Sequence, residues 1–96
     1  MRSYVFAPRA QRDLQSQIDY LIEQGAFTPA ANLAARVENF VVRFLAVHLK
    51  TGVFLAHRDL WEAWVPQTNL VLWYRFSDTT LEIARVWHTS QDRLSP

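Results

Sequence analysis

Three histidines, nine arginines and a scattered set of carboxylates are the residues of this 96-residue chain that could do chemistry. His48, His57 and His88 are the candidate proton carriers, and a general base works only beside a positioned partner. His48 falls at the end of a helical stretch, where a cation complements the helix C-terminus. His57, in Ala56-His57-Arg58-Asp59, reads as a solvated loop residue. His88 is more interesting, because it ends an apolar run beside Thr89 and Ser90. A structural or binding role is still a plainer reading for it than proton transfer. None of the three shows metal spacing such as HxxxH, and cysteine is absent, so neither metal nor cofactor is expected. There is no GxSxG and no Gly-rich phosphate loop, since Gly25 and Gly52 are the only glycines. Asp59 and Glu62 could be offered as a carboxylate pair, but a solvated strand edge accounts for them better.

The arginines and tryptophans raise a second possibility. Trp61, Trp64, Trp73 and Trp87 could stack bases while Arg58, Arg75 and Arg85 hold phosphates, as single-strand binders do. A formal net charge of +1 argues against a dedicated nucleic-acid binder. Tryptophans in a domain of this size more often build its core and its protein interfaces.

These residues need elements to place them, and the length allows one domain over residues 1–96. Half of the residues are hydrophobic and 14% aromatic, too apolar for a disordered chain. Nothing at the start resembles a signal peptide and no window is long and apolar enough to span a membrane, so a cytoplasmic protein is expected.

Tyr4-Val5-Phe6 reads as a strand ended by Pro8. Ala10, Leu14, Ile18, Leu21 and Ile22 then fall at helical spacing from Pro8 to about Gln24, with Gly25 as the stop. Thr28-Pro29 predicts a second helix, Thr28 as N-cap, running to about Val47 on a Leu33, Val37, Phe40, Val41, Phe44 stripe. Beyond Gly52 the period changes to two. Leu60–Val65, Leu70–Phe76 and Leu81–His88 are expected to form a three-stranded meander, the last two joined by the turn Ser77-Asp78-Thr79-Thr80. The fold class is α+β, in the order β-α-α-β-β-β, with a helical hairpin on a small, mostly antiparallel sheet. Both alternating sets of the last two strands carry apolar residues, so the outer sheet face should be covered too, by a partner.

Several segments, taken in order, carry a resemblance over the whole chain. They are Pro8-Arg9-Ala10, Asp13-Leu14, Ile18 to Tyr20, Ala34-Ala35-Arg36-Val37 with Phe40, Trp73-Tyr74-Arg75-Phe76, and Ile83-Ala84-Arg85-Val86-Trp87-His88. From Tyr4 to about Arg93 the sequence resembles the ParE branch of the RelE/ParE toxin superfamily, whose histidine-plus-aspartate ending is matched by His88 to Asp92. The resemblance implies a toxin that inhibits DNA gyrase and is neutralised by a small ParD-like antitoxin. RelE-like relatives instead cleave mRNA on the ribosome with arginines, lysines and a terminal tyrosine or histidine. Here Val71 and Trp73 stand near the expected arginine and Thr89-Ser90 replace basic residues, so phosphoryl transfer would lack its main electrostatic support. Arg85 and His88 would be the catalytic pair on that alternative. A non-toxic interaction module is the third reading. On the leading one, Arg85, Trp87, His88, Asp92 and Arg93 meet the target, and Leu14, Ile18, Leu21, Trp61, Trp64 and Trp73 meet the antitoxin. No membrane and no sequence-specific nucleic-acid contact is expected.

Overall fold

The computed structural model describes residues 3–90 of the chain. Strand β1 (Ser3–Phe6) leads into α1 (Pro8–Glu23), and Ala7 between them is extended (ψ 151°) because the residue before proline is kept out of the helical region. Gly25, at φ +74°, closes α1. The Gly25 N–H bonds the Ile22 carbonyl at 2.9 Å and the Ala26 N–H reaches the Leu21 carbonyl at 2.8 Å, the paired bonds of a Schellman stop. Helix α2 (Phe27–Phe40) starts at once from Ala26 as N-cap, two residues before the Thr28 cap that the sequence suggested. The tight stop sets the new helix axis directly. Pro29 then sits in the first turn, where a missing N–H costs no helical bond.

The second helix does not end at Phe40. It widens into a π-helical turn over Val41–Leu45, closed by the Ala46 N–H on the Val41 carbonyl at 2.9 Å. A wider turn rotates less per residue, so side chains four apart stay in line. Val37, Val41 and Leu45 are all fully buried as a result. On another side of the same segment Phe40, Phe44 and His48 form a file, with ring centroids 5.5 and 4.8 Å apart.

Four further strands follow: β2 (Val53–Leu55), β3 (Leu60–Trp64), β4 (Leu70–Phe76) and β5 (Thr80–His88). The sheet order is β1-β5-β4-β3-β2, parallel only between β1 and β5. The meander therefore has one strand more than expected, β2, whose three residues are too few to show a period. Ala10 of α1, the Val37-Val41-Leu45 line, and Leu70, Leu72, Tyr74, Leu81, Ile83 and Val86 make the core between helices and sheet.

A β-bulge at Ala84 explains why neither face of β5 could be chosen from alternation. Tyr74 pairs with Ile83 and Trp73 with Arg85, so Ala84 has no residue opposite it. Leu81 and Ile83 face the helices before the bulge, and Val86 does so after it; all three are buried. Arg85 and Trp87 pass to the outer face, opposite Trp73 and Val71. The cover of that face comes largely from the chain itself. The Arg58 guanidinium lies 5.0 Å from the Trp73 ring centroid, and the Trp73 indole donates to Glu62 Oε2 at 2.8 Å. Trp73 is left only 4% exposed, whereas Trp64 on the same face stays 65% exposed.

Tyr74 ties the sheet to the loop after the π turn. Its hydroxyl donates to the Leu49 carbonyl at 2.7 Å and accepts the Gly52 N–H at 3.3 Å. Burial raises the Tyr74 pKa above the usual tyrosine value of 10.0, against a smaller lowering by the Gly52 bond. Gly52 allows this approach, because a Cβ there would collide with the Glu62 carbonyl and stand 2.9 Å from the Tyr74 hydroxyl.

Candidate functional site

The far end of β5 is built around an ion pair that joins residues 72 apart in sequence. Strand β1 ends at Phe6, so β5 beyond Ile83 has an edge that no strand covers, and α1 packs there instead. Asp13 on that helix accepts the Val86 N–H at 3.0 Å. The same carboxylate takes Arg85 in a two-pronged grip, Nε to Oδ2 at 2.7 Å and Nη2 to Oδ1 at 3.1 Å. Both side chains are mostly covered, at 19% and 18% exposure. The guanidinium also stacks 4.1 Å from the Trp87 centroid, and Trp87 leans on Trp73 at 5.2 Å. The outer face thus carries a row of Arg58, Trp73, Trp87 and Arg85 held by cation–π and ring contacts. Nothing in the local pattern around Asp13 marks it as the partner of Arg85.

His88 closes the strand. The Ser90 N–H donates to His88 Nδ1 at 3.0 Å, and Ser90 Oγ lies 2.7 Å from the same nitrogen. Acceptance of the Ser90 N–H at Nδ1 fits a neutral ring that carries its proton on Nε2. Asp92 and Arg93, expected at this tip, lie outside the described residues. Among the described residues no group of three His, Cys, Asp or Glu side chains could hold a metal ion.

The six residues expected to meet an antitoxin fall in separate places. Leu14 and Ile18 line a hollow of about 250 Å³ between α1, β1 and α2, with Tyr4, Phe6, Ala34 and Glu38. Tyr4 donates to Glu38 there at 3.1 Å, and this bond raises the tyrosine pKa above its usual value. Trp61 belongs to an aromatic cluster with Phe54, Tyr74 and Phe76 on the helix side of the sheet. Trp64 borders a second hollow, of about 280 Å³, with Phe40, Phe44 and Val53. Trp73 offers a partner little surface.

Leu21 lies apart from these, in a cleft of about 510 Å³ between the helical hairpin and the β3–β4 turn. Leu21, Leu33 and Leu70 are its apolar lining, while Gln17, Asn32, Gln67 and Asn69 bring side-chain amides. His88 lines it as well, so a residue expected at the target surface and one expected at the antitoxin surface share one cleft. Arg36 enters it too, its Nη1 donating to Gln67 Oε1 at 2.6 Å. Neither Arg36 nor Gln67 stands out in the sequence, since both look like ordinary surface polar residues.

The fold is similar to a solved structure described as the chromosomal ParDE TA system from P. aeruginosa. The match has a TM-score of 0.69 at 13% identity and covers 92% of this chain and 96% of that one. Among curated protein sequences none matches. The family model for the ParE toxin of the type II toxin–antitoxin system, parDE, matches residues 4–93. That span takes in both helices and all five strands, so the chain belongs to the ParE toxin family.

Proposed function

We propose that the protein is the toxin of a type II pair that inhibits DNA gyrase by docking on it, and that a cognate antitoxin holds it inactive. Family membership supports the toxin role. The choice of docking over RNA cleavage rests on Arg85, whose guanidinium is occupied by Asp13 and Trp87. A phosphoryl-transfer site needs cationic groups aimed at the scissile phosphate, and this one is turned toward a carboxylate of its own chain. Arg85 would then be a positioning residue that holds the outer-face row, while Trp87 and His88 meet the target. Neutralisation follows from the shared cleft: a segment seated against Leu21 would also cover His88.

The test compares two activities of one preparation. The purified protein is expected to block gyrase supercoiling and to leave translation in a cell-free extract intact. Cleaved mRNA with unaffected gyrase would overturn the proposal in favour of the endonuclease. If neither activity changes and expression causes no growth arrest, only an interaction module remains.

A further inference from the structure

We infer that the 510 Å³ cleft is a carboxylate-reading site for a peptide segment of the antitoxin, with Arg36 as the reading residue. The inference rests on the antitoxin part of the function proposed above. Three observations converge on it.

First, the cleft lining contains Arg36 and His88 but no aspartate or glutamate, so an anion entering it meets no repulsion from the wall. Second, Arg36 is bonded there to a neutral amide. Gln67 Oε1 occupies one donor of a guanidinium whose planar fork is shaped for two carboxylate oxygens. An incoming carboxylate would replace a charge–dipole contact by a charge–charge one at the same nitrogen. Third, Gln67 is held at φ +64°, a conformation uncommon for a residue with a Cβ. Gln67 is the third residue of the Val65–Thr68 turn, where Pro66 precedes it and the Thr68 N–H reaches the Val65 carbonyl at 3.3 Å. The turn brings the Gln67 amide to Arg36 at the cleft rim.

The apolar lining adds the second half of the specificity. Leu21, Leu33 and Leu70 suit an aliphatic side chain next to the acid, and the amides of Gln17 and Asn32 suit an extended or helical backbone. The fitting ligand is a peptide segment with a carboxylate flanked by aliphatic residues. Gln67 acts as a stand-in that the segment displaces.

The measurement is the affinity of the antitoxin, produced from the reading frame beside that of the toxin, by calorimetry at two salt concentrations. Arg36→Gln is expected to weaken it about 10- to 100-fold and to flatten its salt dependence, with Arg36→Lys in between. Arg43→Gln, on the π turn and outside the cleft, should change nothing. Replacing one acidic residue of the antitoxin by its amide should reproduce the loss and add little to Arg36→Gln in the double variant. Equal affinities for wild type and Arg36→Gln, both folded by thermal unfolding, would overturn the inference and leave the antitoxin reading standing. So would unchanged antitoxin affinity with weakened gyrase inhibition, which would assign the cleft to the target. Failure of the wild-type protein to bind the antitoxin sinks the parent reading, and this one with it.

Discussion

Arg85 shows what a single residue can and cannot disclose in a sequence. Its type and its place at the end of a strand mark it as a candidate for binding or catalysis, but its partner Asp13 sits 72 positions earlier on a helix. Only the fold brings the two together, and once together they act mainly on stability. Arg85→Met should therefore lower stability by about 2 kcal/mol, read as a fall of roughly 8–16 °C in Tm for a domain of this size. A residue that served only to touch gyrase would change stability by less than about 0.5 kcal/mol when replaced. Tyr74 and Gly52 permit two further predictions. Gly52→Ala must push the β2 entry away from Glu62 and Tyr74, and a loss of about 2–3 kcal/mol in denaturant unfolding is expected. The raised Tyr74 pKa means the folded state keeps a proton that the unfolded chain releases. Its contribution is fully present below about pH 10 and is lost as the pH rises through the folded value. Urea unfolding at neutral pH and near pH 11 should show that loss, and Tyr74→Phe should reduce it to the part contributed by Tyr4.

At the level of elements, the sequence was readable wherever a regular period ran uninterrupted. Helix α1 has such a period and its expected bounds agree with the observed ones to within a residue, while β4 agrees as well because turn residues bound its apolar run. Three irregular devices were hidden because none of them carries a residue period of its own. The bulge at Ala84 exchanges the faces of β5, so that Ile83 and Val86, three apart, both enter the core. The π turn keeps Val37, Val41 and Leu45 in line by adding width, not by any residue pattern. Strand β2 is placed by pairing with β3 and by the Gly52–Tyr74 bond, neither of which is local. The bulge gives a test of its own. Deleting Ala84 brings Ile83 and Val86 to a spacing of two, so plain alternation keeps both in the core and Trp87 on the outer face while the bulge is lost. The deletion is expected to stay folded, with native tryptophan fluorescence and a loss in urea unfolding below about 2 kcal/mol. A loss of about 3 kcal/mol or more, with altered tryptophan fluorescence, would show that the bulge itself is needed to seat the end of β5.

For the molecule as a whole, the order of elements and the toxin family were legible, while which apolar residues the fold leaves uncovered was only partly so. The apolar residues on both sheet faces argued for external cover. At Trp73 that cover is internal, supplied by Arg58 and Glu62, and no single-sequence pattern distinguishes the two cases. What stays uncovered is a patch formed by Trp64, Val53 and Phe44 near the edge strand β2, together with the half-buried Leu14 and Ile18 of α1. Exposed aromatic area of this kind contributes little to the free protein and much to a complex. Trp64→Ser should accordingly leave urea unfolding of the toxin alone within about 0.5 kcal/mol of wild type. On the proposed antitoxin reading, affinity should fall about tenfold or more, because the complex would then bury the lost indole area. The same linkage sets the stability of the pair. A partner that binds only the folded toxin, at 100 times its Kd, adds about 2.7 kcal/mol to its unfolding free energy. With a tenfold weaker Kd at the same antitoxin concentration, Trp64→Ser should forfeit about half of that increment. An unchanged increment together with lower stability of the toxin alone would instead place Trp64 in the toxin's own folding.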